Sequence, residues 1–223
     1  MDDDKIRLMI QGVFGPNVGV GITDPRDDHH VLLGPEQDAM SRAIPNRRRE
    51  FAAGRAAGRK ALAEVGFPAV AIPAAADRSP TWPAGIAGSI SHCESLCVAV
   101  TCHVQTWRSI GIDIEGKTPL EKEAWPIVMT PQEQTALQTI PRWRRAKQLK
   151  TLFSIKESVY KAQFPLTGQM CDFQALDVTL CDDGRFQARF TQTLGSFQPG
   201  YVAHGRYLQF DNWVLSGCML PDR

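Results

Sequence analysis

The chain has 223 residues, with 43% apolar and 22% charged, ordinary usage for a folded protein and far from a disordered composition. Its net charge of +1 gives no global basic field to gather nucleic acid. The longest nearly apolar run, Phe67 to Ala76, is interrupted by Pro68 and Pro73 and falls far short of the ~20 residues needed to span a bilayer.

In chain order, Met1-Asp2-Asp3-Asp4-Lys5 is acidic where a signal peptide would be basic, so a cytoplasmic location is expected. These five residues also read as a protease-site remnant and are given no structural weight. The first 45 residues read as loop-rich, punctuated by Gly15-Pro16, Asp24-Pro25 and Gly34-Pro35. A helix is predicted over about 46–65, after Pro45 and before Gly66 and Pro68. Strands follow at about 88–92, 96–102 and 109–115. A polar, proline-bearing stretch leads to a second long helix, about 145–164, which Pro165 should end. Short alternating runs at 176–180, 186–190, 202–210 and 213–220 then predict antiparallel sheet. One long helix plus several strands in each half is an α+β pattern.

Six cysteines occur without a C-x-x-C pair, and free buried thiols are the expectation. Cys97 and Cys102 alternate across a predicted strand, which argues against a zinc site shared with His92 and His103.

The segment 109–115 carries the first chemical signal. Ile110, Ile112 and Ile114 alternate with Gly111, Asp113 and Glu115, so both carboxylates share one face. Adjacent acids repel unless a positive group lies between them. Oxygen ligands select a hard cation such as Mg²⁺, Mn²⁺ or Ca²⁺; the alternative is a solvated strand face. On the second helix, Leu149, Tyr160 and Phe164 fall within about 40° of Phe153, and Glu157 sits at the edge of that stripe, roughly 40° away. Glu157 either pairs with Lys161 one turn on or shares a metal with Asp113 and Glu115. In the second case Lys156 and Lys161 would hold phosphate oxygens. On the first helix Arg47 and Arg55 share the stripe of Phe51, Gly58 and Leu62, whereas Arg48, Arg49, Arg59 and Lys60 point elsewhere and are expected to be solvated. An inward guanidinium suits a bound phosphate; the alternative is a pair with Glu64 or Glu36. Ser91 and His92, at a strand end, add a hydroxyl and an imidazole. Three acids and a set of cations imply metal-assisted phosphoryl chemistry.

Four ordered blocks carry a resemblance. They are Arg47 through Arg55, Trp82-Pro83 leading to Gly88 through Cys93, Gly111-Ile112-Asp113-Ile114-Glu115, and Phe153 through Lys161 continuing to Thr167. Glu157 follows Asp113 by 44 positions. Together they resemble the 4′-phosphopantetheinyl transferases of the surfactin/enterobactin-synthase type, in the enterobactin-type branch, over about 47–180. Phe153 stands where the family more often has Trp. The resemblance implies a monomer of two similar α+β halves packed with pseudo-two-fold symmetry, residues 1–107 and 108–223, with the active site in the cleft between them. It implies transfer of phosphopantetheine from coenzyme A to a serine of an apo acyl or peptidyl carrier protein, releasing adenosine 3′,5′-bisphosphate. Fatty-acid, polyketide, nonribosomal-peptide, siderophore and antibiotic pathways all use such carriers. No nucleic-acid or membrane partner is expected. By resemblance, Asp113, Glu115 and Glu157 match ligands of Mg²⁺, with Mn²⁺ as an alternative. Glu157 also matches the general base, Lys161 and His92 match pyrophosphate contacts, and Arg47 and Arg55 match residues at the 3′-phosphate. Arg78 falls near a further basic position. Two competing readings remain: a metal-dependent nuclease built on Asp113, Glu115 and Lys117, and a binding module that grips coenzyme A or a carrier without turnover.

Overall fold

The computed structural model describes residues 2–116, 118–210 and 213–222. The first half contains helix α1 (Asp3–Phe14), strand β1 (Gly19–Thr23), the short helix α2 (Gly34–Asp38), helix α3 (Pro45–Glu64) and strands β2 (Ile86–Cys93) and β3 (Leu96–His103). The second half contains β4 (Ser109–Glu115), the short helices α4 (Trp125–Val128) and α5 (Pro131–Gln138), helix α6 (Arg142–Thr167), and strands β5 (Leu176–Leu180), β6 (Arg185–Phe190), β7 (Val202–Phe210) and β8 (Trp213–Leu220). The strands form two antiparallel sheets, ordered β1-β3-β2 and β4-β8-β7-β6-β5. The fold is α+β, and each half lays one long helix across one sheet.

The two halves solve the same packing problem in the same way. A helix carrying large side chains cannot approach a sheet closely, so the strand beneath it offers a glycine. A Cβ on Gly21 would lie 1.8 Å from the Ala57 carbonyl oxygen of α3. A Cβ on Gly111 would lie 2.0 Å from the Ser158 carbonyl oxygen of α6. On α3 the facing surface is equally small: Ala53, Ala57 and Ala61 pack against Cys97 and Ala99.

The halves are joined along β2 and β4. Ser89 Oγ accepts the Ile112 N–H at 3.1 Å and Ser91 Oγ accepts the Ile114 N–H at 3.2 Å. Side-chain hydroxyls thus satisfy buried strand donors where the ladder stops. Behind this seam one apolar cluster takes residues from both sheets, including Val20, Val98, Val100, Ile110, Ile112, Ile114 and Leu215.

Helix α1 covers that shared core and corrects the loop-rich reading of the N-terminus. Asp2 caps it by accepting the Asp4 N–H, and Asp3 and Asp4 lie in its first turn, where negative charge favours the helix dipole. Ile6, Ile10, Val13 and Phe14 are buried at helical spacing. The acidic start set aside as a remnant is therefore the N-terminal cap.

Two further expectations need correction. Pro165 does not end α6; the helix continues to Thr167, and Gly168 closes it in the left-handed conformation, its N–H bonded to the Phe164 carbonyl. A proline in the last turn forfeits only one ladder bond. The buried face of α6 is also displaced from the stripe centred on Phe153. Leu152, Ile155, Val159 and Ala162 are the core residues, whereas Phe153, Tyr160 and Phe164 are half-buried. Replacing Gly111 with alanine is expected to force α6 off β4 and to cost about 3 kcal/mol, some 6–12 °C in melting temperature at this size. Thermal unfolding followed by circular dichroism checks it; an unchanged midpoint would contradict the close-contact account.

Candidate active site

A cleft of about 430 Å³ lies where α3, β2, β4 and α6 meet. It is lined by Arg47, Arg55, Arg78, Ser91, His92, Asp113, Glu115, Glu157 and Lys161. Of the sequence-predicted site residues only Lys156 is directed elsewhere.

Asp113 is the centre of the arrangement. Its place on β4 buries it to 3% exposure. Oδ1 accepts the Lys161 ammonium at 2.7 Å and the Ser91 hydroxyl at 2.9 Å, and Lys161 also donates to Ser91 Oγ at 3.0 Å. Oδ2 is buried without a partner. Lys161 thus pairs with Asp113, and Glu157 accepts no hydrogen bond among the described residues, so the helical Glu157–Lys161 pair does not form. Burial pushes the Glu157 carboxyl above its ordinary range, and Lys161 only partly offsets this. Burial likewise pushes Glu115 up; Asp113 adds to the shift, and Lys150, at 3.3 Å from Oε2, opposes it. Two carboxylates held above their usual range beside an unsatisfied carboxylate oxygen make an acidic, oxygen-only donor set, which suits a hard divalent cation. Among the described residues no three acidic, His or Cys side chains already stand close enough to form a metal cage. The cationic neighbours Lys161 and Lys150 hold Asp113 and Glu115 instead.

The opposite wall is cationic. Arg55 is 5% exposed; its Nε donates to the Ile72 carbonyl at 2.7 Å, its guanidinium lies 3.9 Å from the Phe51 ring centroid, and Nη2 is buried without a partner. Burial pulls its pKa down to about 10, which leaves it charged at neutral pH. Among the described residues no carboxylate pairs with it: Glu36 is held by Arg59 at 2.7 Å and Glu64 by Arg7. Arg59 is therefore a largely covered structural cation, which corrects the expectation that it is solvated, whereas Lys60 is exposed, as expected, and donates to the Ile22 carbonyl at 2.8 Å. Arg47 is half-exposed and pairs with Glu50 at 3.4 Å. His92 Nε2 lies 3.5 Å from the same Glu50, and burial pulls the imidazole pKa down. Arg78 is exposed at the cleft edge, in a turn where it alone among the described non-glycine residues has positive φ, +72°.

The family model of the 4′-phosphopantetheinyl transferase superfamily matches residues 109–218, and that of the 4′-phosphopantetheinyl transferase N-terminal domain matches 35–102. The 4′-phosphopantetheinyl transferase Svp of Streptomyces mobaraensis is 36% identical over 194 residues, covering 83% of this chain and 74% of that one. The chain belongs to the 4′-phosphopantetheinyl transferase superfamily. The transferase Npt of Nocardia iowensis is 32% identical over 192 residues, 81% of this chain and 86% of its own. Enterobactin synthase component D of Salmonella typhi is 39% identical over 140 residues, 60% of this chain and 56% of its own. The chain is accordingly a transferase enzyme. Lys117, the third residue of the nuclease-like reading, lies outside the described residues.

Three residues of this transferase site escaped the sequence reading. Glu50, the one acid within the basic run of α3, sits between Arg47 and His92. Lys150 lies seven residues before Glu157 on the same side of α6, a spacing that could have revealed it. Glu133 was legible only as a helix cap, through the Thr130-x-x-Glu133 pattern that it forms on α5.

Glu133 explains where Lys156 goes. The Lys156 ammonium is 1% exposed and donates to Glu133 Oε2 at 2.7 Å, the Val128 carbonyl at 2.8 Å and the Phe173 carbonyl at 2.9 Å. All three protons are used, so none is left for phosphate. Glu133 in turn accepts the Thr130 and Val178 N–H groups. One buried ion pair therefore ties α6 to α5, to the turn at Phe173 and to β5, beside Glu157. Replacing Lys156 with methionine strands the Glu133 charge and is expected to destabilise the transferase by about 3–5 kcal/mol; adding Glu133→Gln, which removes the charge and keeps an acceptor for the backbone N–H groups, should recover part of it. Urea unfolding of both variants checks this. A single substitution costing less than about 1 kcal/mol would contradict the brace.

No helix among the described residues is long and apolar enough to cross a membrane.

Proposed function

We propose that this transferase moves 4′-phosphopantetheine from coenzyme A to a serine of an apo acyl or peptidyl carrier protein, with Mg²⁺ or Mn²⁺ at Asp113, Glu115 and Glu157, releasing adenosine 3′,5′-bisphosphate. The observation that carries this reading is one cleft with three acids on one wall and, on the other, the buried Arg55 guanidinium, which no carboxylate pairs among the described residues. The buried, partnerless Nη2 of Arg55 suits the 3′-phosphate, with Arg47 and Arg78 at its rim. His92 and Ser91, which line the same cleft, would meet the pyrophosphate. The division of labour follows the halves, 1–107 for the nucleotide end and 108–223 for the acids. Support comes from the matched family regions, which end at 102 and resume at 109.

In the reaction the carrier serine Oγ forms a bond to the β-phosphorus as the bond to the bridging oxygen breaks. The leaving group departs as adenosine bisphosphate. Glu157, held above its ordinary range by burial, takes the serine proton. Lys161 places its ammonium where charge develops on the leaving phosphate. A divalent cation, when bound, supplies neutralisation of the pyrophosphate charge. Relatives named enterobactin synthase component D favour a siderophore-type carrier among the candidates.

Intact-mass measurement of apo acyl and peptidyl carriers after incubation with coenzyme A and Mg²⁺ tests the proposal: one added phosphopantetheine is expected. Glu157→Gln is expected to slow transfer by at least ~10²-fold. The same change should raise the melting temperature in chelator. A carboxylate whose pKa is raised on folding stabilises the fold below its unfolded pKa and loses that contribution as pH rises through the folded value. At neutral pH the charge is therefore a cost that glutamine removes. Activity within tenfold of wild type, or a lowered melting temperature, would contradict the role given to Glu157.

A further inference from the structure

Between Glu133 and Glu157 the chain carries six cations and no acid, in a protein whose net charge is +1. Lys150 and Lys156 are buried with partners, as described. The others crowd the outer end of α6. Arg142, Arg144 and Lys147 are exposed, and no acid pairs with them among the described residues. Arg145 is half-buried and donates to the Ile140 and Gln138 carbonyls. Among them Trp143 stands 76% exposed, with the Arg144 guanidinium 4.6 Å from its ring centroid.

This end of the helix works against its own stability. Its first turn holds no acid, its N-cap is Pro141 with no side-chain hydrogen bond, and cations there oppose the helix dipole. An exposed tryptophan gains nothing from water. Trp with neighbouring Arg is, however, the combination that anchors protein interfaces. The position is equally telling. Trp143 lies 14 residues before Glu157, so it sits about 21 Å away along the helix and within about 40° of the same face. A protein interface of ordinary size, with about 800 Å² on each partner, spans that distance.

We propose that the outer end of α6, with Trp143 as anchor and Arg142, Arg144 and Lys147 around it, is the docking surface for an acidic face of the carrier protein, placing its serine at Glu157. The inference rests on the function proposed above and deepens it. The near-neutral whole chain makes a local basic patch a matter of complementarity to one acidic partner rather than of general attraction to polyanions.

The test is steady-state transfer to a purified apo acyl carrier protein and an apo peptidyl carrier domain by wild type, Trp143→Ala and Arg144→Glu. Both side chains are exposed, so folding should survive, with circular dichroism as control. The expected result is a carrier KM raised at least about tenfold, with kcat at saturating carrier and the KM for coenzyme A within twofold of wild type. Arg144→Glu should also flatten the salt dependence of kcat/KM for the carrier. Unchanged carrier KM in both variants, with wild-type transfer intact, overturns this surface alone. Absence of transfer by wild type to every carrier overturns the proposed function and this surface with it. Self-association, or binding to anionic phosphatidylserine vesicles, that Trp143→Ala abolishes at unchanged carrier KM assigns the patch to another occupant and overturns the inference.

Discussion

The bond between the Lys161 ammonium and the buried Asp113 carboxylate, shared with the Ser91 hydroxyl, is the constraint on which the site depends. A carboxylate in the interior is costly unless it is paired. Here its partners come from different elements: the lysine from α6, the serine from β2 in the other half. Pairing the charge therefore also fixes the helix against β4 and one half against the other. Ser91 serves both purposes, since its oxygen also accepts a strand N–H across the seam. Oδ2, Glu115 and Glu157 then remain on the cleft side with less compensation than a stable fold would choose.

That arrangement needs close contact between α6 and β4, which Gly111 permits. It also needs a wall behind Glu157, which the Lys156–Glu133 pair supplies. Adjacent residues on one helix thus have opposite tasks. Lys156 spends every proton on structure, and Glu157 keeps its oxygens free. The cationic wall is built by similar means. Arg59 satisfies Glu36 and Arg7 satisfies Glu64, which leaves Arg55 without a carboxylate although it is almost fully buried. Stability in both walls is given up at the positions that face the cleft, as expected where polar groups await a charged ligand.

The sequence was most informative where one periodicity acted alone. The alternation of three isoleucines with Gly111, Asp113 and Glu115 gave β4 to the residue, together with its buried and cleft faces. Helix α3 was located within a residue at each end by Pro45 and Gly66. Errors arose where two environments met. Helix α6 is flanked by a core on one side and a cleft wall on the other, so Phe153 looked like core when it only borders the core and also lines the wall. The acidic N-terminus concealed a cap because its composition suggested something foreign. Lys156 could not be placed because its partner lies 23 residues away, and spacing along one helix says nothing of a distant carboxylate.

The central claim is that the acids of one half and the cations of the other form one coenzyme A site that a divalent cation completes. Calorimetric titration of coenzyme A into wild type and Asp113→Asn, with and without Mg²⁺, tests it most directly. Mg²⁺ should tighten coenzyme A binding to wild type by at least about tenfold, equivalent to ~1.4 kcal/mol, and leave the asparagine variant unchanged. Equal affinity for wild type in the presence and absence of Mg²⁺, or an undiminished Mg²⁺ effect in Asp113→Asn, would contradict the account.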